Sequence, residues 1–134
     1  MLRSAAITAL HAFLAATYTG PIAIHREESI DPIALPYAVL RIGSSDNIGA
    51  GQAEIWDFSI LLGVFHDADA TAPASAETAA AAVFAALADP AAITAALAPA
   101  ILVSWWERLT IEASLTQTGW QHIAGYRLIA APAA

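Results

Sequence analysis

The sequence predicts one α+β domain, residues 1–134, with a mixed, mostly antiparallel sheet of about four strands and two to three helices packed on one face. Three observations predict this class. A long segment, Gln52–Asp67, alternates between apolar and mixed positions as a half-buried strand does. An alanine-rich helical segment, Ala76–Leu87, follows it. Two further long strands, joined by a short polar turn, end the chain and are expected to pair antiparallel.

The Gln52–Asp67 segment is the predicted central strand. Every second residue from Trp56 to Val64 is apolar, and the positions between them mix apolar with polar side chains. A strand that is fully apolar on one side belongs in the middle of a sheet, with a helix laid across that side. We therefore expect Phe58 and Leu62 to lie in the core under the Ala76–Leu87 helix.

The N-terminal half supplies a helix, a connection and a strand. The first helix shows an apolar stripe at helical spacing, and Thr19-Gly20-Pro21 ends it. The turn-forming cluster after the strand is expected to close a hairpin into the central strand. The predicted elements are a mature helix, not a signal peptide, over Leu2–Tyr18, a short strand or extended arm over Ile22–His25, a strand over 37–43 and a turn over Ser44–Gly51.

The C-terminal half supplies the remaining helices and strands. The loop Ala68–Ser75 is expected to end on a residue that caps the Ala76–Leu87 helix. Pro90 suits the first turn of a second short helix, Ala91–Leu97. The strand Ile101–Ser114 follows, with Trp105 on its more apolar face and Trp106 on the other, and Trp120–Ala130 is the last strand.

Composition and charge exclude several functional classes. Hydrophobic residues make up 58% of the chain and charged residues 13%, which is too apolar for disorder and suggests contacts between subunits. Five Arg and no Lys face twelve Asp and Glu, so the net charge of −7 argues against a clamp on nucleic-acid phosphates. The chain has no Cys for disulfides or metal ligation, and no apolar run approaches the length that spans a bilayer.

The sequence offers no catalytic constellation. His66-Asp67-Ala68-Asp69 is the one place where a histidine stands beside carboxylates, and a solvated loop is favoured over a metal site there. Glu54 and Asp57 are three residues apart on a strand and therefore point to opposite faces. We expect no catalytic residue, no metal site and no cofactor.

The mixed face of the central strand is a candidate contact surface. Large apolar residues beside polar ones form the mosaic that is typical where the core of an interface meets its rim. The adjacent Trp105 and Trp106 allow a stacking platform for bases, but neighbouring strand residues point to opposite faces, which favours one core tryptophan and one that meets a partner. The predicted subunit-interface residues are Asp57, Leu61, Phe65 and Trp106.

The order of elements resembles the small tail terminator, or tail completion, proteins of long-tailed phages. The shared features are an amphipathic first helix, a Leu35-Pro36-Tyr37 strand start, a long central strand, an alanine-rich helix and a final hairpin ending in Tyr126-Arg127-Leu128. The resemblance implies a hexameric ring that caps the tail tube, stops its polymerisation and joins it to the head connector or stopper protein. It also implies a virion protein, assembled in the host cytoplasm, that contacts the tail tube protein and the passing genomic DNA.

An acidic ring suits the passage of DNA, because like charge prevents the duplex from sticking. The carboxylates expected to face the lumen or a neighbouring ring are Glu27, Glu28, Asp31 and Asp46. An alternative reading is a small α+β module, without catalysis, that binds a ligand or a partner helix on its apolar sheet face. An enzyme is the third choice.

Overall fold

The computed structural model describes residues 2–26, 36–51, 54–66, 73–115 and 119–133. Within these ranges the chain forms three helices and five strands. In chain order they are α1 (Leu2–Thr17), β1 (Ala23–Arg26), β2 (Tyr37–Asn47), β3 (Trp56–His66), α2 (Pro73–Ala85), α3 (Pro90–Leu97), β4 (Ile101–Leu115) and β5 (Trp120–Pro132).

The five strands form one sheet in the order β1-β2-β3-β5-β4. β1 runs parallel to β2, and the other three neighbouring pairs are antiparallel. The predicted fold class is therefore confirmed, and β3 is the central strand. The fifth strand is β1, which the sequence left open between a short strand and an extended arm.

The sheet has a core face and an open face. On the core face, β3 buries Phe58, Ile60, Leu62 and Val64 completely. Their neighbours on β5 are buried as well, and so are those on β2 except Ser45, which is partly buried. All three helices contribute residues to the same cluster. The expected burial of Phe58 and Leu62 is confirmed. The helical residues of the core include Leu10, Leu14, Val83, Phe84, Ile93 and Leu97, and Leu87 joins them from the turn after α2.

α1 packs against β1, β2 and α3. Its buried residues are Ala6, Leu10 and Leu14, which belong to the predicted stripe, and Ile7, which does not. The other members of the stripe, among them Phe13, are only partly buried. His11 lies on the side predicted to be polar, and its Nε2 is 2.9 Å from the carbonyl oxygen of Ile24. This hydrogen bond ties the helix to the edge strand β1.

α3 begins as the sequence predicts, with Pro90 in its first turn. The Oδ1 of Asp89 accepts a hydrogen bond from the backbone N–H of Ala91 at 3.0 Å, so Asp89 is the N-cap. α2 differs from the prediction because it begins at Pro73, which places Ser75 inside the helix rather than at its cap. Among the described residues no single helix is long and apolar enough to cross a bilayer, and α2 with α3 reaches that length only as a pair bent by 54°.

β2 is longer than predicted. The sequence assigned Ser44–Gly51 to a turn, whereas Ser44–Asn47 continue the strand and pair with β3 after a register shift at Gly43. A bulge of this kind keeps the ladder going while the strand bends. The turn itself starts at Asn47, whose Oδ1 accepts a hydrogen bond from the N–H of Gly49 at 3.0 Å. The predicted β2–β3 hairpin is confirmed.

The predicted faces of β4 are wrong for Trp105 and Trp106, which lie between two bulges. Register shifts between Val103 and Trp105 and between Arg108 and Thr110 each add a residue to β4 relative to β5. Each added residue reverses the alternation that follows it, and a prediction that assumes a strict period of two does not include that reversal. Trp106 consequently lies on the core face opposite Leu128, and Trp105 lies on the open face opposite Ile129.

Replacing Phe58 by alanine tests the core assignment. Phe58 is fully buried and stacks on Trp56, so Phe58→Ala should lower the free energy of unfolding by about 3 to 5 kcal/mol. Urea denaturation followed by circular dichroism measures this loss. Thr8→Ala, on the exposed side of α1, is the control and should stay within about 0.5 kcal/mol of wild type. A Phe58→Ala protein as stable as wild type would show that the core face is assigned to the wrong side.

Candidate functional site

The candidate site is the open face of the sheet, opposite the helices. Its central strand contributes Asp57, Leu61 and Phe65, three of the four residues predicted for a subunit interface, and each is partly exposed. They share this face because they alternate with the buried residues of β3. Their neighbours on the same face are Tyr37, Val39 and Arg41 from β2 and Ile123, Arg127 and Ile129 from β5.

One end of the open face is an apolar groove of about 210 Å³. The ring of Tyr37 stacks on that of Phe65, with ring centres 5.0 Å apart. Stacked aromatic side chains present a rigid wall, which a partner can meet at little entropic cost. We call this feature the groove, and its lining residues are Tyr37, Val39, Arg41, Leu61, Gly63, Phe65 and Ile123.

Gly63 is the glycine that lines the groove. A Cβ at Gly63 would stand 2.9 Å from the ring of Phe65, which lies over the bare backbone there. Gly125, the neighbour of Leu61 on β5, is not one of the lining residues, and a Cβ there would stand 3.3 Å from Oγ1 of Thr110. A glycine within a strand often marks close approach of another group, and at Gly63 that group is the ring of Phe65.

The other end of the open face carries charge. Arg127 donates hydrogen bonds to both carboxylate oxygens of Asp57, the shortest at 2.9 Å. These hydrogen bonds, together with the charge of Asp57, raise the pKa of the Arg127 guanidinium. Asp46 lies directly across from Asp57, and Glu107 lies across from Arg127. Three carboxylates and one arginine therefore lie at this end of the face, which is acidic.

Asp46 is the one predicted rim or lumen carboxylate that the structure describes. It is exposed, as expected, and lies on β2 near its end. Glu27, Glu28 and Asp31 lie outside the described residues.

The outer strand β4 continues the open face to the edge of the sheet. Every residue from Arg108 to Ser114 is exposed, although the strand pairs with β5 throughout. Long apolar edge strands are uncommon in monomers because they invite pairing with another chain. The exposed large apolar side chains of β4 are Leu102, Trp105, Leu109 and Ile111. Leu102 and Trp105 lie on the open face, whereas Ile111 pairs with Ala124 and lies on the helix side of the sheet.

Trp106 must be removed from the predicted interface. It is 6% exposed, its Nε1–H donates to the carbonyl oxygen of Leu87 at 2.9 Å, and it stacks on Tyr126 with ring centres 5.0 Å apart. Burial raises the pKa of the Tyr126 phenol to about 12, and the nearby charge of Arg108 acts in the opposite direction. Trp105, 51% exposed, is the member of the pair that is available to a partner. The expectation of one core and one exposed tryptophan is confirmed.

Two buried histidines stand at one end of the core face. His66 and His122 are 8% and 5% exposed, and the Nδ1 of each has no hydrogen-bond partner. Burial and the neighbouring His122 lower the pKa of His66. The carboxylates of Asp67 and Asp69, which suggested the metal alternative, lie outside the described residues. Within the described part of the chain, no three His, Asp or Glu side chains are grouped to hold a metal ion.

A cavity of about 940 Å³ opens between the end of α1 and α2. Alanines of α2, including Ala79, Ala82 and Ala85, form one wall, and Tyr18 and His66 contribute to the rest. The cavity is apolar apart from these side chains, a few hydroxyls and the backbone. A pocket of this size and character is suited to an apolar group rather than to polar chemistry.

Sequence reasoning missed Tyr37, Arg41 and Gly63 of the groove. The alternation of Tyr37, Val39 and Arg41 was visible in the sequence, and so was the glycine within the central strand. Their meeting depends on strand order and register, and the sequence of one strand does not contain either. A search for strand glycines flanked by large apolar residues would have selected Gly63.

The fold and the open face together define an α+β domain with a one-sided sheet and a mosaic face of the kind that contacts other proteins. No family model matches the chain, and no curated protein matches it in sequence. In structure, it is similar to a chain described as "Virion of native gene transfer agent (GTA) particle", with 22% identity and a TM-score of 0.59. The match covers 97% of this chain and 94% of that chain. At this identity, the likeness establishes the fold.

The stability of the fold should fall in mild acid because of His66. The unfolded imidazole has a pKa near 6.5, and the folded pKa is lower, so below about pH 6.5 the unfolded state binds a proton that the folded state does not. The free energy of unfolding should therefore decrease as the pH falls from 7.5 through 6.5 to 5.5. Urea denaturation at these three values measures the slope.

His66→Asn is the matched variant for this prediction, since it removes the titrating group and keeps a polar side chain. Its unfolding free energy should change less over the same pH range than that of wild type. Equal slopes for the two proteins would mean that His66 does not carry the pH dependence.

Proposed function

We propose that this chain is a structural protein of a phage-like particle. The observation that carries the proposal is the fold likeness to a chain of a gene transfer agent virion, which extends over 97% of this chain. The resemblance in the order of elements to tail terminator proteins points in the same direction. In this proposal the chain works through its interfaces and has no catalytic role.

Within such a particle, we assign the chain to the head-proximal end of the tail tube. There it forms a ring, expected to be a hexamer, that ends tube polymerisation and joins the tail to the head connector or stopper protein. Such a ring needs faces that meet neighbouring subunits. The open face, with its groove, its acidic end and the exposed side chains of Leu102 and Trp105 on β4, supplies the area for these contacts.

The charge of the chain supports a ring through which DNA passes. A duplex that slides through a protein lumen must not be held by it, and each lysine or arginine that meets a phosphate adds salt-dependent affinity. With no Lys, five Arg and a net charge of −7, the chain has few such residues. One of the five, Arg127, is already paired with Asp57.

A second candidate function is a non-catalytic module that binds a small apolar ligand or a partner helix. The cavity of about 940 Å³ between α1 and α2 favours it, because ligand sites are typically apolar concavities of this size. The mass in solution separates the two proposals. A ring has several times the 13.9 kDa of one chain, whereas a ligand-binding module is expected to be a monomer or dimer.

The ring proposal is tested with tail tube protein that polymerises in vitro. Adding the wild-type chain should stop tube growth and leave a ring at the tube end in electron micrographs. Leu61→Asp places a charge in the apolar part of the open face and should abolish both the oligomer and the capping, while the fold is retained.

Thr8→Asp is the control for this variant, since it adds the same charge to the exposed side of α1. It should keep the oligomer and the capping. Circular dichroism and thermal melting establish that both variants are folded. A folded Leu61→Asp protein with the wild-type elution volume and full capping would remove the open face from the proposal.

The acidic residues generate a separate prediction. Replacing Glu27, Glu28 and Asp31 together by lysine, with Asp46 left unchanged, adds cations where the proposal expects either a lumen or a neighbouring ring. If they line the lumen, particles should join normally but eject DNA slowly, and higher salt should relieve the delay. If they contact a neighbouring ring, head joining should fail, leaving free tails beside filled heads. Glu77→Lys, on the exposed side of α2, is the control and should do neither.

Electron microscopy counts joined particles, and ejection assays at two salt concentrations measure the release of DNA. Normal joining together with normal, salt-independent ejection would exclude both roles for these carboxylates.

A further inference from the structure

The β2–β3 hairpin carries two different surfaces at its opposite ends. The groove lies where Tyr37 pairs with Phe65, and the connection between the strands begins beyond the Asn47–Trp56 pair. From Val39 in the groove to Ile48 beyond the strand end is nine residues, or about 30 Å along the strand. A copy of the chain therefore cannot place this end of the hairpin in its own groove.

The far end of the hairpin exposes apolar side chains between carboxylates. Ile48 and Ile55 are 52% and 36% exposed, and the N–H of Ile48 donates to the carbonyl oxygen of Ile55 at 2.7 Å. This hydrogen bond holds the two isoleucines as neighbours. Asp46 and Glu54, one beside each isoleucine, are exposed as well. We call Asp46, Ile48, Glu54 and Ile55 the hairpin end.

The groove is complementary to the hairpin end in both shape and charge. Its aromatic and aliphatic walls enclose about 210 Å³, more than the roughly 150 Å³ in which an apolar cavity holds a benzene ring. Arg41 lies at the groove and is exposed, and no described residue pairs with its guanidinium. An apolar side chain next to a carboxylate is what such a groove would bind, and the hairpin end has two such pairs.

We propose that the hairpin end of one copy of this chain docks in the groove of the next copy, with Ile48 or Ile55 among the groove's apolar walls and a neighbouring carboxylate against Arg41. This inference rests on the proposed ring and names its subunit contact. The contact is heterologous, since it joins two different surfaces, and contacts of that kind are the ones that close into rings larger than a dimer. A contact that joins identical surfaces about a two-fold axis is complete in a dimer and does not by itself build a six-membered ring.

Two complementary variants test this contact. Leu61→Asp blocks the groove and leaves the hairpin end intact, whereas Ile48→Asp blocks the hairpin end and leaves the groove intact. Each variant alone should self-associate at least about tenfold more weakly than wild type, as measured by analytical ultracentrifugation. An equimolar mixture has one intact pair of surfaces and should form a 1:1 complex that does not grow further.

A disulfide provides a second measurement that does not depend on disrupting the surface. The chain has no Cys, so Ile48→Cys in one copy and Val39→Cys in another supply the only thiols. Mild oxidation of the mixture should give a cross-linked dimer of the two different variants in excess over either homodimer. Thr8→Cys paired with Val39→Cys is the control and should not form this product.

The outcomes separate this contact from the ring itself. If wild type forms a ring and the mixed variants do not pair, or if Ile48→Asp forms the wild-type ring, the ring uses other surfaces and the contact is overturned. If the variants lose only their binding to tail tube protein, the groove and the hairpin end serve that partner instead. If wild type stays monomeric both alone and on tube ends, the ring and this contact are both overturned.

Discussion

The alternation of β3 is the constraint on which the rest of the structure depends. Its even positions from Trp56 to Val64 are all apolar, so one side of the sheet must be covered, and the three helices of the described residues all pack there. A single layer of helices covers one face of a sheet and leaves the other to solvent or to another chain. The same alternation therefore determines both faces of β3: its even positions form the core, and its odd positions form the open face.

This dependence explains why some elements could be predicted from the sequence and others could not. The phase of β3 was predictable because its apolar positions follow an unbroken period of two, and the role of Pro90 was predictable because the ring of proline suits the first turn of a helix. β4 also alternates between apolar and polar residues, but two bulges change which of its residues face the core. The sequence of the strand contains no signal that predicts these bulges. The misplacement of Trp106 follows from that alone. The sequence also failed to predict that β2 extends through Asn47. Its last residues are polar and typical of turns, but they continue the strand because residues of β3 lie opposite them and pair with them.

The candidate site likewise has a part that the sequence predicts and a part that it does not. Asp57, Leu61 and Phe65 were predictable because they all lie on one strand and share its parity. The groove requires three strands, β2, β3 and β5, to lie side by side, and the ring of Phe65 can lie over β3 because Gly63 has no side chain. Strand order and register, which create this meeting, are properties of the whole sheet. Arg41 lies at the groove because of this strand order and register.

The two ends of the open face differ in charge, and this difference favours one orientation of a docked partner. The end that holds the Asp57–Arg127 pair carries Asp46 and Glu107 as well, so it repels an acidic segment, whereas the groove offers Arg41 beside apolar walls. Complementary charge in one place and like charge in another select one orientation of a partner more than they strengthen its binding. An acidic, apolar hairpin end approaching this sheet is therefore guided to the groove and away from the charged end. A chain with only five arginines achieves this selectivity by pairing Arg127 within the sheet and leaving Arg41 exposed.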